Sequence, residues 1–99
     1  MILVRDVFHT KYGKVDELIA ILKDFRTKWP PSEWYGRRVL TDASGRFYTI
    51  VVETELPSLA EWERRFAELL AQPGFGEWFE RTLPLVDSDH HEFYTVEEI

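Results

Sequence analysis

The spacing of apolar residues changes along the chain, and each change marks a predicted element. Residues 2–9 are dense in Ile, Leu, Val and Phe, which predicts a first strand that ends at a turn around Gly13. Apolar residues then recur at intervals of three and four, which predicts an amphipathic helix bearing Val15, Leu18, Ile19, Leu22, Phe25 and Trp29. Pro30 and Pro31 follow and end this helix, because proline cannot continue the helical hydrogen bonds.

The middle of the chain has the pattern of an antiparallel hairpin. A second strand is predicted over residues 34–41 and a third over residues 46–55, which includes the β-branched run around Val51. The turn between them, residues 42–45, is so short that the two strands must run antiparallel.

Two helices and a last strand complete the pattern. Ser58 stands three residues before Glu61, which is the spacing of a capping box and predicts the start of a second helix. Pro73 and Gly74 end that helix. A short third helix is predicted over residues 75–81 and a fourth strand over residues 92–96.

This order of elements predicts a ferredoxin-like α+β fold. Its plan is βαββαβ, with a four-stranded antiparallel sheet and the helices on one face. We expect residues 1–99 to form a single domain of this kind, since the chain is too short for two.

Alternation along the strands predicts which side chains face the helices. The helix-facing rows are Ile2, Val4, Asp6 and Phe8 in the first strand, and Tyr48, Ile50, Val52 and Thr54 in the third. The opposite face retains apolar side chains at Leu3, Val7, Phe47 and Val51, which a monomer would leave in water. The pattern therefore predicts a homodimer that packs sheet against sheet.

Two segments resemble a known group of proteins. The opening VFHTKYGKVDELIAILKDF is similar to that of the dimeric α/β-barrel superfamily, and the closing WFERTLPLVDSDHHEFYTVE is similar to the end of NIPSNAP-type domains. The resemblance implies a dimeric α/β barrel, with antibiotic-biosynthesis monooxygenases among its relatives. It implies either a non-catalytic binding protein that captures a small hydrophobic molecule, or a small cofactor-independent monooxygenase or isomerase acting on an aromatic substrate.

Haem-degrading monooxygenases are also relatives in this superfamily, but their pattern is incomplete here. That pattern has an Asn on the first strand, then a Trp and a His on the second helix. This chain has Asp6 in place of the Asn, and although Trp62 matches the Trp, Gln72 stands where the His belongs. The departure argues against haem degradation, and we expect no cofactor.

Composition narrows the classes of partner. The net charge of −6 disfavours nucleic acid, and the chain contains no cysteine, which excludes disulfides and thiolate chemistry and fits a reducing compartment. Arg5 and Asp6 interrupt the apolar start, and no stretch approaches the length of a membrane span. We expect a cytoplasmic protein without a membrane span.

The most polar stretch is DSDHHEF, residues 87–93. Its carboxylates and imidazoles are suitable ligands for zinc, iron or manganese. However, neighbouring residues on a strand point to opposite faces, so His90 and His91 cannot reach one ion. We interpret the stretch as a solvated polar turn into an edge strand, and we predict no metal site there.

A second candidate site lies between the helices and the sheet. If the predicted rows are correct, Asp6, Trp34, Arg38 and Trp62 converge there, beside Gly36, whose missing side chain would leave space. These groups could orient and stack a flat organic ligand. The alternative is an Asp6–Arg38 ion pair beside two tryptophans of the core.

Overall fold

The computed structural model describes residues 1–29 and 38–99. Strands and helices follow one another in the predicted order. They are β1 (Ile2–Thr10), α1 (Val15–Lys28), β2 (Arg38–Thr41), β3 (Thr49–Leu56), α2 (Leu59–Leu70), α3 (Phe75–Thr82) and β4 (Val86–Thr95), with a 3-10 turn (Leu83–Leu85) before β4. The sheet is antiparallel in the order β2-β3-β1-β4. The predicted ferredoxin-like fold is confirmed.

Individual residues at the helix ends explain where the helices α2 and α3 begin. Ser58 caps α2, and its hydroxyl accepts a hydrogen bond of 3.2 Å from the backbone N–H of Glu61, as the capping box predicts. Gly74 precedes α3 at a φ of +83°, a conformation that glycine adopts without steric cost. The predicted third helix is therefore present, at Phe75–Thr82.

The third strand begins later than predicted, because Tyr48 leaves the extended conformation. Tyr48 has a φ of +60°, and its carbonyl accepts hydrogen bonds from the backbone N–H and the hydroxyl of Thr10 at 2.8 and 2.9 Å. β3 starts at Thr49. Phe47 precedes the strand and is 75% exposed, so neither aromatic belongs to the row that alternation assigned to it.

The last strand begins earlier than predicted. β4 starts at Val86, so the stretch DSDHHEF lies in a strand and not in a turn that leads into one. It is an edge strand, paired only with β1 within the described sheet. Because β4 alternates, His90 lies beside Val7 on one face and His91 beside Asp6 on the other, as expected of neighbouring residues.

The second strand is in a different register from the one predicted. Arg38 pairs with Glu53 and Leu40 with Val51, so both side chains lie on the sheet face away from the helices. We call this face the open face. The predicted residues 34–37 of this strand lie outside the described residues.

The core fills the space between the sheet and α1 and α3. It is formed by Leu18, Ile21, Leu22, Phe25, Trp29, Ile50, Val52, Trp78 and Leu85. The indole N–H of Trp78 donates a hydrogen bond of 3.0 Å to the carbonyl of Ile21, and the Trp78 ring packs 4.9 Å from that of Phe25. This contact joins α3 to α1.

The open face is better covered than its composition suggests. Val7 and Val51 are only 6% and 7% exposed in the single chain, so the prediction that a monomer leaves them in water is wrong. They lie on the two central strands, where Leu40 and His90 flank them in the same row. Neighbouring side chains of the same row therefore help to cover them within the single chain.

Among the described residues, no helix is long and apolar enough to cross a membrane.

We predict that Trp78→Phe lowers the free energy of unfolding by about 1–2 kcal/mol, because it keeps an aromatic ring but removes the buried hydrogen bond to Ile21. Urea denaturation followed by circular dichroism measures the change. Trp62→Phe is the matched control, since Trp62 is only half-buried, and its effect should be smaller. Equal losses in both variants would contradict the anchoring role of Trp78.

Candidate functional site

A cavity of about 300 Å³ lies between the inner face of the sheet and the three helices. Its wall is mainly apolar and aromatic, and it includes Val4, Phe8, Leu22, Val52, Trp62, Phe66, Leu69, Phe75, Trp78 and Phe79. Polar side chains interrupt this wall at Asp6, Asp89 and His91, and at two threonines, Thr54 and Thr82. We call this space the helix–sheet cavity.

Helix α2 is the loosely packed wall of the cavity. None of its residues is buried, although Trp62, Phe66 and Leu69 follow helical spacing and face inward. The rings of Trp62 and Phe66 stack at 5.0 Å and 13°. An apolar helix face that remains half-exposed is available to contact a flat apolar molecule.

Asp6 is the charged group deepest in this wall. It lies on the inner row of β1, between the neighbouring strands β3 and β4. Its Oδ1 is inaccessible and has no hydrogen-bond partner among the described residues. Burial in these surroundings, with the carboxylate of Asp89 nearby, raises the pKa of Asp6 from 3.8 to about 7.

His91 is the neighbour of Asp6 on the adjacent strand. The two residues are register partners, and the Nε2 of His91 lies 3.6 Å from the Oδ2 of Asp6. The imidazole also meets the ring of Trp62 edge-on at 5.3 Å. Burial lowers the pKa of His91, an effect that Asp89 opposes and His90 reinforces. Asp6 therefore holds a proton more readily, and His91 less readily, than either does in water.

The cavity thus combines an aromatic wall with a carboxyl–imidazole pair in which either Asp6 or His91 can carry a proton. Such a pair can orient a polar group of a ligand or move a proton to or from it. No group of three or more His, Asp or Glu side chains within the described ranges is arranged to hold a metal ion.

The structure brings together two of the four residues that the sequence proposed. Asp6 and Trp62 both line the cavity. Arg38 does not, because it lies on the open face, where its Nε donates to the Oε1 of Glu53 at 2.6 Å. The expected Asp6–Arg38 convergence, as a site or as an ion pair, is wrong, and its cause is a one-residue difference in the register of the second strand. Trp34 and Gly36 lie outside the described residues.

Sequence reasoning missed His91 and Asp89 as parts of this site. Both were assigned to a turn, because a run of charged residues without apolar alternation is typical of a loop. The available signal was the spacing from Phe93 backwards: His91 and Asp89 stand at intervals of two from it, on the row that faces the helices.

Solved structures share this fold over nearly the whole chain. An uncharacterised NIPSNAP domain protein from Burkholderia xenovorans matches at a TM-score of 0.84 and 19% identity, over 98% of this chain and 95% of that one. A NIPSNAP family protein from Agrobacterium tumefaciens matches at a TM-score of 0.87 and 12% identity, over 98% of this chain and 93% of that one. A protein from Deinococcus radiodurans, provisionally described as an antibiotic biosynthesis monooxygenase, matches at a TM-score of 0.66 and 16% identity. The match covers 100% of this chain and 95% of that one.

These likenesses establish the fold. They confirm the ferredoxin-like fold of the single chain, and the structure described as a monooxygenase shares the same plan at a lower TM-score. No protein-family model matches the chain, and no curated protein matches it.

We predict that Asp6→Asn stabilises the protein at pH 8 by on the order of 2 kcal/mol, with less effect at pH 5. The raised pKa means that folded Asp6 binds a proton that unfolded Asp6 has already lost, so stability falls as the pH rises from 3.8 through about 7. Asparagine cannot ionise and avoids this loss. Urea denaturation at both pH values measures it.

Asp87→Asn is the matched control, since Asp87 is exposed on β4. Its effect should be the same at both pH values. Parallel stability profiles for wild type and Asp6→Asn would contradict the raised pKa of Asp6 in this cavity.

Proposed function

We propose that this protein is a cytoplasmic homodimer with a NIPSNAP-like α/β-barrel fold that binds a small hydrophobic or aromatic molecule between its helices and its sheet. The observation that carries the proposal is the helix–sheet cavity. Its volume of about 300 Å³ stands at the lower end of small-molecule sites, which suits a ligand of one to three rings.

The apolar wall supports capture of a flat molecule. Trp62 and Phe66 present stacked rings, and Phe93 meets Trp62 edge-on at 5.0 Å. Flat aromatic ligands gain from such offset and edge contacts beyond the apolar area that they bury. A ligand here would also cover the face of α2 that the protein's own packing leaves half-exposed.

The open face supports the dimer. A row of charged residues crosses all four strands of this face: Arg38 on β2, Glu53 on β3, Arg5 on β1 and Glu92 on β4. Glu53 is only 7% exposed, and both arginines contact it, Arg38 at 2.6 Å and Arg5 at 3.4 Å. Arg5 also bonds Glu92 at 2.8 Å.

The order of charges in this row makes the open face self-complementary. From β2 to β4 the signs alternate, beginning with Arg38 and ending with Glu92. A two-fold axis that runs along the strands, between two copies, reverses the order, so that the exposed Arg38 end of one row comes opposite the Glu92 end of the other. An axis across the strands would oppose like charges. The row therefore favours one way of packing two sheets face to face.

An enzymatic function is the second candidate, and the Asp6–His91 pair favours it. A small cofactor-independent monooxygenase or isomerase acting on an aromatic substrate has to move a proton in a site that excludes water. A carboxyl whose pKa is about 7, beside an imidazole and within an apolar cavity, is suited to that task.

Filling the cavity tests the binding proposal. We predict that the uncharged fluorophore N-phenylnaphthylamine binds the wild-type protein with increased emission, and that Leu69→Trp weakens this binding at least tenfold by occupying the space. Leu83→Trp introduces the same side chain at a residue that is 55% exposed and should bind as wild type does. Native mass spectrometry of freshly purified protein checks in parallel for a retained molecule. Equal binding by both variants would refute the cavity as the site.

Sedimentation tests the dimer. We expect wild type to sediment as a dimer at micromolar concentration and Leu40→Arg, which places a new charge on the edge of the open face, to dissociate at least tenfold more readily. Leu83→Arg introduces the same charge in the helical layer and should remain dimeric. A wild-type monomer at micromolar concentration would refute this part of the proposal.

A further inference from the structure

The distance between the polar atoms of Asp6 and His91 restricts which ligand group can bond to both. The Oδ2 of Asp6 and the Nε2 of His91 lie 3.6 Å apart, which is too far for a direct hydrogen bond. Each side chain retains 29% of its exposure, so neither is sealed off from the cavity that both line. A ligand oxygen that lies on the cavity side of the line joining these two atoms can be about 2.8 Å from each, so that it bridges the pair with ordinary hydrogen-bond lengths.

A group in that position must donate to one neighbour and accept from the other. When the pair shares one proton, either Asp6 is ionised and His91 presents an N–H, or Asp6 is protonated and His91 presents a lone pair. A hydroxyl satisfies both arrangements, because it is donor and acceptor at once. A carbonyl or carboxylate oxygen only accepts, and an ammonium only donates.

From this geometry we propose that the helix–sheet cavity selects an uncharged, apolar molecule whose polar group is a hydroxyl, held between Asp6 and His91. The inference rests on the ligand-binding function proposed above and specifies the class of ligand. It also gives each residue a role: Asp6 and His91 orient the hydroxyl, while Trp62 and Phe66 contact the apolar body.

The remaining groups of the cavity disfavour charged ligands. Asp6 and Asp89 both line the space, so a carboxylate would face like charge. An ammonium would meet opposite charge, but it would have to leave water for a largely apolar wall. The burial that raises the pKa of Asp6 also leaves this carboxyl partly protonated at neutral pH, which weakens its attraction for a cation.

The buried oxygen of Asp6 is an independent sign that this carboxyl is unsatisfied by the protein itself. Its Oδ1 has no hydrogen-bond partner among the described residues. Because Oδ1 is inaccessible, a ligand in the cavity can bond this carboxyl only at Oδ2. A hydroxyl at Oδ2 gives the carboxyl one hydrogen bond without introducing a second charge, while Oδ1 stays without a partner among the described residues.

Four probes that differ in one substituent test the inference. Naphthalene, naphthol, naphthoate and naphthylmethylammonium compete at pH 7 with bound N-phenylnaphthylamine, and loss of its emission gives each affinity. We expect naphthol to bind about tenfold more tightly than naphthalene, because it adds two hydrogen bonds, and the two ions to bind more weakly than naphthalene.

Variants assign the preference to its residues. His91→Phe keeps a ring but removes the nitrogen, and Asp6→Leu keeps the volume but removes the oxygens. Each should reduce the affinity ratio of naphthol to naphthalene to about one while naphthalene still binds. His90→Phe is the matched control, because His90 lies next to His91 on β4 but on the open face, and it should keep the wild-type ratio. Circular dichroism checks that each variant is folded, and the two variants test the pair independently.

The outcomes separate this inference from the function on which it rests. If naphthalene and naphthol bind equally well, or if either ion binds best, hydroxyl selection is refuted and the apolar cavity stands. If neither the fluorophore nor any of the four probes binds, the proposed function is refuted and this inference with it. A preference for naphthol that persists in both His91→Phe and Asp6→Leu would place the hydroxyl elsewhere.

Discussion

The alternation of the central strand β1 is the constraint on which the rest of the structure depends. β1 is hydrogen-bonded on both edges, to β3 and to β4, so its side chains cannot rotate between faces without breaking two ladders. Adjacent charged residues are thereby separated: Arg5 joins the charged row of the open face, and Asp6 enters the helix–sheet cavity. One backbone periodicity therefore creates both the charged row of the open face and the polar part of the cavity wall.

The sequence predicted the parts of the fold in which apolar spacing is regular. The predicted helix-facing rows are correct for Val4, Asp6 and Phe8 in β1 and for Val52 and Thr54 in β3, because these residues all line the cavity. Alternating Val, Ile and Phe side chains indicate which face of a strand is buried. Ser58 marked the start of α2, and Pro73 with Gly74 marked its end, because each residue type suits a particular backbone geometry. These signals are local and do not depend on tertiary context.

The errors occurred where the deciding interaction is not local. The face on which Arg38 lies depends on how β2 pairs with β3, so alternation within the second strand could not fix it. Tyr48 has a φ of +60°, and its carbonyl bonds to Thr10, which is far away in sequence. The charged residues of β4 gave the sequence pattern of a loop. They nevertheless form an edge strand, because pairing with β1 uses backbone hydrogen bonds and does not require apolar side chains. Because the start of that strand was not predicted, His91 was not recognised as part of the candidate site.

The anchoring of α3 and the looseness of α2 have a common origin. Trp29, Phe25 and Trp78 pack together with ring centroids 4.9 to 6.3 Å apart, and the hydrogen bond of Trp78 fixes α3 on α1. These large rings hold the helical layer together at one side of the sheet. On the other side α2 has no buried residue, and the space beneath it remains open.

Helix α2 nevertheless has its own support. Ser58 caps its first turn, and on its surface Glu61 pairs with Arg64 and Arg65 while Arg64 also reaches Glu68. Pairs at this spacing stabilise a helix from within, by about 0.2–0.5 kcal/mol each, without contact to the core. The residues that keep α2 helical are thus different from those that line the cavity. Exchange of Trp62, Phe66 or Leu69 for another apolar residue would therefore change the shape of the cavity wall and leave the capping and surface pairs of α2 in place.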